Sequence, residues 1–178
     1  MMHTRDLTRA GLGLALLICL AFVPPIAVGF LGVPIVLQNF GVMLLTRLLK
    51  PRQATAVIGL LLVLAALGLP FLSGGRGGFA IFAGPTAGFM FGWLLTPVMV
   101  WLFQRLSPAK NWWQRLWPLL IGGVLLPEII GGAWLSLVTP LTLMPALLSV
   151  VVYLPGDAIK AVLASSIADQ LQRTSRFK

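Results

Sequence analysis

Charge is what this chain has least of. Only 10% of its 178 residues are Asp, Glu, Lys or Arg, and just four of those are acidic. Soluble domains carry about 25%, so this composition would leave a water-facing surface largely uncovered. Histidine occurs once, as His3 in the polar N-terminal tail. That excludes a Cys–His or Ser–His pair or a histidine metal centre within the apolar body. Cysteine also occurs once, and Cys19 alone can form neither an internal disulfide nor a metal cluster. No Gly-Lys-Ser/Thr follows the glycine run near residue 75, so the run is not a phosphate-binding loop. The chain is therefore not expected to be an enzyme, to carry a cofactor or metal, or to power any process with nucleotide itself.

What is present is hydrocarbon: 58% of the residues are hydrophobic, and residues 10–23, 54–69 and 88–103 contain no charge at all. Each stretch approaches the roughly 20 residues an α-helix needs to cross about 30 Å of lipid. The expected fold class is an all-α integral membrane protein, a single domain over residues 1–178 with no second domain and no visible repeat. The first segment has a basic flank like that of a secretory signal. No convincing small-x-small cleavage site follows, so it is expected to be retained as a true span.

Proline, glycine and basic groups divide the chain into six expected spans near 10–31, 34–50, 53–70, 84–105, 114–138 and 156–172. Pro24-Pro25 interrupts the first, and Pro127, Gly131, Gly132 and Pro140 make the fifth the least regular. Net charge is +9, yet the basic residues come in small groups between apolar spans, which argues against a nucleic-acid partner. Arg5, Arg9, Arg47, Lys50, Arg52, Arg105, Lys110, Arg115, Arg173, Arg176 and Lys178 all fall on one face of a six-span layout. The positive-inside rule makes that face cytoplasmic, together with both termini. Trp112, Trp113 and Trp117 read as an interfacial belt.

Four charges remain unexplained by topology: Arg76, Glu128, Asp157 and Lys160. Ionisable groups inside a membrane are costly and usually face a cavity or a partner. Spans two, four and six are expected to begin at the outer face, with Pro34, Pro85 and Pro155 in their first turns. Helix starts carry open N–H groups and partial positive charge, and transporters use them to hold anions.

Asp157 and Lys160, spaced i, i+3, share a helix face and can address one ligand. Equally, Asp157 can cap its helix while Lys160 reaches toward the interface. Arg76, in "SGGRGG", is either a water-exposed turn residue or a lid over a small molecule that glycine backbone, Gly75 included, can approach closely. Gln38 can bond a buried ligand or another helix. Thr86 can cap its own helix or point into a pocket. Glu128 is a proton-carrying site, a partner of Arg115 or Arg76, or a residue of a wet cleft. Gly11, Ala15 and Cys19 form a small-residue ridge suited to packing within the bundle or against another subunit.

Four motifs, in order, carry a resemblance: "VPIVLQ", "GGRGG", "GPTAGF" and "PGDAIK". The chain resembles the BioY family, the biotin-binding S components of energy-coupling factor (ECF) transporters. The resemblance implies a six-helix bundle in a prokaryotic cell (inner) membrane with an outward pocket for biotin. It also implies, as partners, a transmembrane coupling subunit and two cytoplasmic ATPases. By the same analogy Asp157 and Lys160 hold the ligand. Gly84, Pro85, Thr86 and the glycine loop line its pocket, and the ridge of the first span meets the coupling subunit. Phe89 stands where the family motif often has tyrosine, and Glu128 where an uncharged residue is expected. A proton-coupled secondary transporter of a small organic acid, using Glu128, is the alternative.

Overall fold

A computed structural model describes residues 4–27, 33–106 and 111–174. Within them the chain forms six helical rods. Four are simple: α1 (Thr4–Ala21), α2 (Gln38–Leu48), α3 (Pro51–Ala66) and α4 (Ala87–Leu106). The fifth joins α5 (Trp112–Leu119) to α6 (Leu126–Val138) through a π turn at Leu120–Leu125. The sixth joins α7 (Leu143–Ser149) to α8 (Leu154–Arg173) through a 3-10 turn at Val150–Tyr153. Between α1 and α2, strands β1 (Ile26–Ala27) and β2 (Pro34–Ile35) pair antiparallel.

The bundle distributes polarity as a lipid solvent demands. Leu60, Val63, Leu95, Leu137, Leu148 and Leu163 point outward, while Gln38, Asn39, Thr96, Glu128, Asp157, Ser165 and Asp169 are buried. Outward apolar side chains are at no disadvantage in lipid, and polar groups there must find partners inside the protein. The α4 rod, the α5–α6 rod and the α7–α8 rod are each long and apolar enough to cross a membrane, and α3 is a shorter apolar helix.

Helix α2 sits at the centre. Seven of its eleven residues are buried, and it packs against α1, α4 and α8. At about 1.5 Å per residue it is roughly 17 Å long, too short to traverse the bilayer alone. Helices α4 and α6 meet closely because glycine lines both sides. A side chain at Gly88 would strike Trp134, and one at Gly131 would strike the Phe89 ring.

Several expected boundaries move, each for a local reason. The span expected at 10–31 begins at Thr4 and stops at Ala21, because Pro24-Pro25 cannot extend a helix; residues 28–31 lie outside the described residues. Pro34 does not open the second span. It lies in β2 opposite Ala27, a short two-strand ribbon where a missing N–H is tolerated, and the helix starts at Gln38. The span expected at 156–172 is preceded by α7 and a 3-10 turn, so the sixth rod reaches back to Leu143, while Pro155 lies in the first turn of α8 as expected.

The basic groups gather at one end. Arg47 and Arg115 both grip Asp169, each with an N···O distance of 2.9 Å, and Lys50 reaches Asp6 at 3.4 Å. Lys110, Arg176 and Lys178 lie outside the described residues.

Candidate binding cavity

At the other end of α8 a cavity of about 640 Å³, counting the space at its open mouth, enters the bundle. Its walls are apolar: Val33, Ile35, Met90, Trp93, Phe89 and Tyr153 contribute, with the Phe89 and Tyr153 rings edge to face at 6.3 Å. The Tyr153 hydroxyl donates to the Val33 carbonyl at 2.7 Å.

The polar groups at its inner end come from the first turns of α2 and α6 and the first two turns of α8. Lys160 Nζ donates to Asp157 Oδ1 at 2.7 Å and to the Val36 carbonyl at 2.8 Å. Asn39 Nδ2 donates to Asp157 Oδ2 at 2.6 Å. Asp157 thus caps nothing, and α8 has no side-chain cap. Lys160 does not snorkel either: its side chain is 12% exposed and turned inward. An ammonium carries three donors, so one N–H of Lys160 remains after these two bonds. Glu128, also lining the cavity, is buried beside Asp157. It pairs with neither Arg115, which is held by Asp169, nor Arg76, which bonds a backbone carbonyl.

The mouth is shaped by the glycine loop. Leu72 and Arg76 exchange backbone hydrogen bonds of 3.0 Å across Ser73, Gly74 and Gly75. Gly74 (φ +78°) and Gly75 (φ +66°) make this tight reversal, a backbone that glycine adopts without penalty. Arg76 is exposed yet lines the cavity, with its Nε donating to the Ser73 carbonyl at 3.0 Å. Gln38 ties the loop down. Its Nε2 donates to the carbonyls of Leu17 (3.1 Å) and Phe71 (2.8 Å), and its Oε1 accepts from Ser73 Oγ at 3.3 Å. Gln38 therefore lines the cavity with its amide already committed.

Of the residues expected at a site, Asp157, Lys160, Arg76, Thr86, Phe89 and Gln38 are brought to this cavity. Gly75 and Gly84 are not among its lining. Gly75 is occupied in turning the loop, and the Gly84 carbonyl accepts from Trp134 Nε1 at 2.9 Å. Asn39 was the omission: only its place one residue after Gln38 hinted at a role, and its partner is 118 positions away. The ridge of α1 faces outward. Gly11, Ala15 and Cys19 are exposed, and nothing lies within 4 Å of a side chain added at Gly11. Packing within the bundle falls instead to Gly13, against Leu45.

The family model for BioY matches residues 1–177. A biotin transporter BioY of Lactococcus lactis subsp. cremoris is 38% identical over 177 residues, covering 98% of this chain and 94% of that protein. Another, from Rhizobium etli, is 39% identical over 170 residues, covering 92% and 91%. The crystal structure of an S component for biotin from an ECF-type ABC transporter superposes with a TM-score of 0.92 at 38% identity, covering 99% of this chain and 97% of that one. These relatives are transport proteins and not enzymes, and none supports a proton-coupled carrier built on Glu128. The chain is a multi-pass prokaryotic membrane protein, and it belongs to the BioY family.

Proposed function

We propose that this chain is a biotin-binding subunit that captures the vitamin in the cavity described above and delivers it through an ATP-driven complex. The observation that carries this reading is a polar cluster from two helices, Asn39 on α2 with Asp157 and Lys160 on α8, at an apolar cavity in a chain so close in shape to a biotin S component. Biotin offers fused apolar rings, a cyclic urea and a carboxylate. Trp93, Phe89, Met90 and Tyr153 supply apolar contact for the rings. The remaining N–H of Lys160 meets the urea oxygen, and Arg76 at the mouth meets the carboxylate. Thr86 lines the same wall and contributes a hydroxyl.

The basic end faces the cytoplasm and the cavity faces outward. A transmembrane coupling subunit contacts Gly11, Ala15 and Cys19 on α1, and two cytoplasmic ATPases supply the energy that this chain has no motif to harvest. Calorimetric titration of the detergent-purified protein with biotin tests the reading: saturable one-to-one binding is expected, and no detectable heat or competition at micromolar biotin refutes it.

A further inference from the structure

The bonds already made inside the cavity leave a specific deficit. Asp157 accepts from Lys160 with one oxygen and from Asn39 with the other. Because a carboxylate only accepts, the Asn39 amide must present its nitrogen to Asp157 and its oxygen elsewhere. That oxygen, Asn39 Oδ1, is buried with no partner, and so is Glu128 Oε2. Both residues line the cavity. Thr55 Oγ1 and Ser165 Oγ are likewise unpartnered, but their residues are not part of the lining. Buried polar atoms are rarely left unsatisfied, and those that are call for a ligand, a water or a functional reason.

We infer that Glu128 on α6 and Asn39 on α2 are the two acceptors that read the N–H groups of the bound cyclic urea, with Asp157 acting behind Asn39 as a positioning residue. The inference rests on the biotin reading and sharpens it. A cyclic urea has one acceptor oxygen and two N–H donors diverging to either side of it. The cavity offers one spare donor on Lys160 and two spare acceptors on different helices, which is the complementary set. A carboxyl keeps acceptor capacity whether ionised or protonated, so Glu128 can fill this place in either form. Glu128 then belongs to ligand selection, which accounts for a costly side chain in an otherwise apolar stretch.

Biotin and its two mono-N-methyl isomers, each lacking one urea N–H, distinguish the acceptors. The unsubstituted protein should prefer biotin to either isomer by about 10-fold or more, as expected for loss of a hydrogen bond to a charged or amide acceptor. Glu128→Ala should weaken biotin by about 10- to 100-fold and bring one isomer level with biotin. Asn39→Ala should do the same for the other isomer. Glu128→Gln keeps an acceptor oxygen and should hold biotin within about threefold with its discrimination intact. The isomer ratio is internal to each protein, so partial loss of folded material does not imitate it. Should Glu128→Ala fail to fold, Glu128→Met is read the same way. A Glu128 variant that keeps the full preference for biotin over both isomers overturns the assignment while the biotin reading stands. Failure of the unsubstituted protein to bind biotin overturns both.

Discussion

Asp157 holds two donors from two other positions in the bundle, and its side chain is only 7% exposed. Replacing it with alanine leaves the Lys160 ammonium with a single carbonyl and the Asn39 amide with none. We expect Asp157→Ala to weaken biotin by about 1–3 kcal/mol, read by titration, and to lower the melting temperature in detergent. Asp169 predicts the opposite split. It neutralises two arginines, one of them with a side chain 7% exposed, so its loss leaves two cations facing each other. Asp169→Ala should cost about 3–5 kcal/mol of stability, seen as a lower melting temperature. Biotin affinity of the folded fraction should be unchanged, because Asp169 lies twelve positions, about 18 Å, along α8 from Asp157. The i, i+3 spacing made the Asp157–Lys160 pair legible in the sequence. Asn39 and the Asp169 clamp were not, since their partners lie more than a hundred positions away for Asn39 and Arg47, and spacing speaks only for neighbours.

Elements were legible where a strong local rule acted. Pro24-Pro25 ended α1, and charge-free runs located α3 and α4 within a few residues. Pro155 marked the first turn of α8, whereas Pro34 misled because context outweighed the local rule and it entered a strand. The π turn at Leu120–Leu125 left no trace that periodicity could register, since a single widened turn between Pro118 and Pro127 changes spacing by only one residue. The glycine loop makes an element-level prediction. Gly78 holds φ +104° and ψ +148°, a region essentially closed to side chains. Gly78→Ala should reposition the loop bearing Arg76 and weaken biotin severalfold while leaving the helix content by circular dichroism intact. Wild-type affinity in that variant would show that the loop geometry does not matter for capture.

At the scale of the whole molecule, grouping of basic residues at the end of the bundle away from the cavity predicts an orientation. With Cys19 replaced by alanine, a cysteine placed at Gly75 should react with an impermeant maleimide added outside intact cells, and one at Arg52 only after permeabilisation. The exposed ridge predicts a separation of functions. Gly11→Leu combined with Ala15→Leu should leave biotin binding by the purified chain unchanged and abolish uptake in cells, because both side chains project from the bundle. The count of six rods was readable from proline and glycine punctuation and the placement of basic groups, whereas the central seat of the short helix α2 was not, because burial on all sides depends on neighbours distant in sequence. Helices α2 and α8 are joined near one end by Asn39 to Asp157 and Lys160 to the Val36 carbonyl. Near the other they are joined by Arg47 to Asp169 and Gln172 to the Arg47 carbonyl. Two rods tied at top and bottom resist sliding and scissoring against each other, so they form the stiffest pairing in the bundle against which the other four can shift.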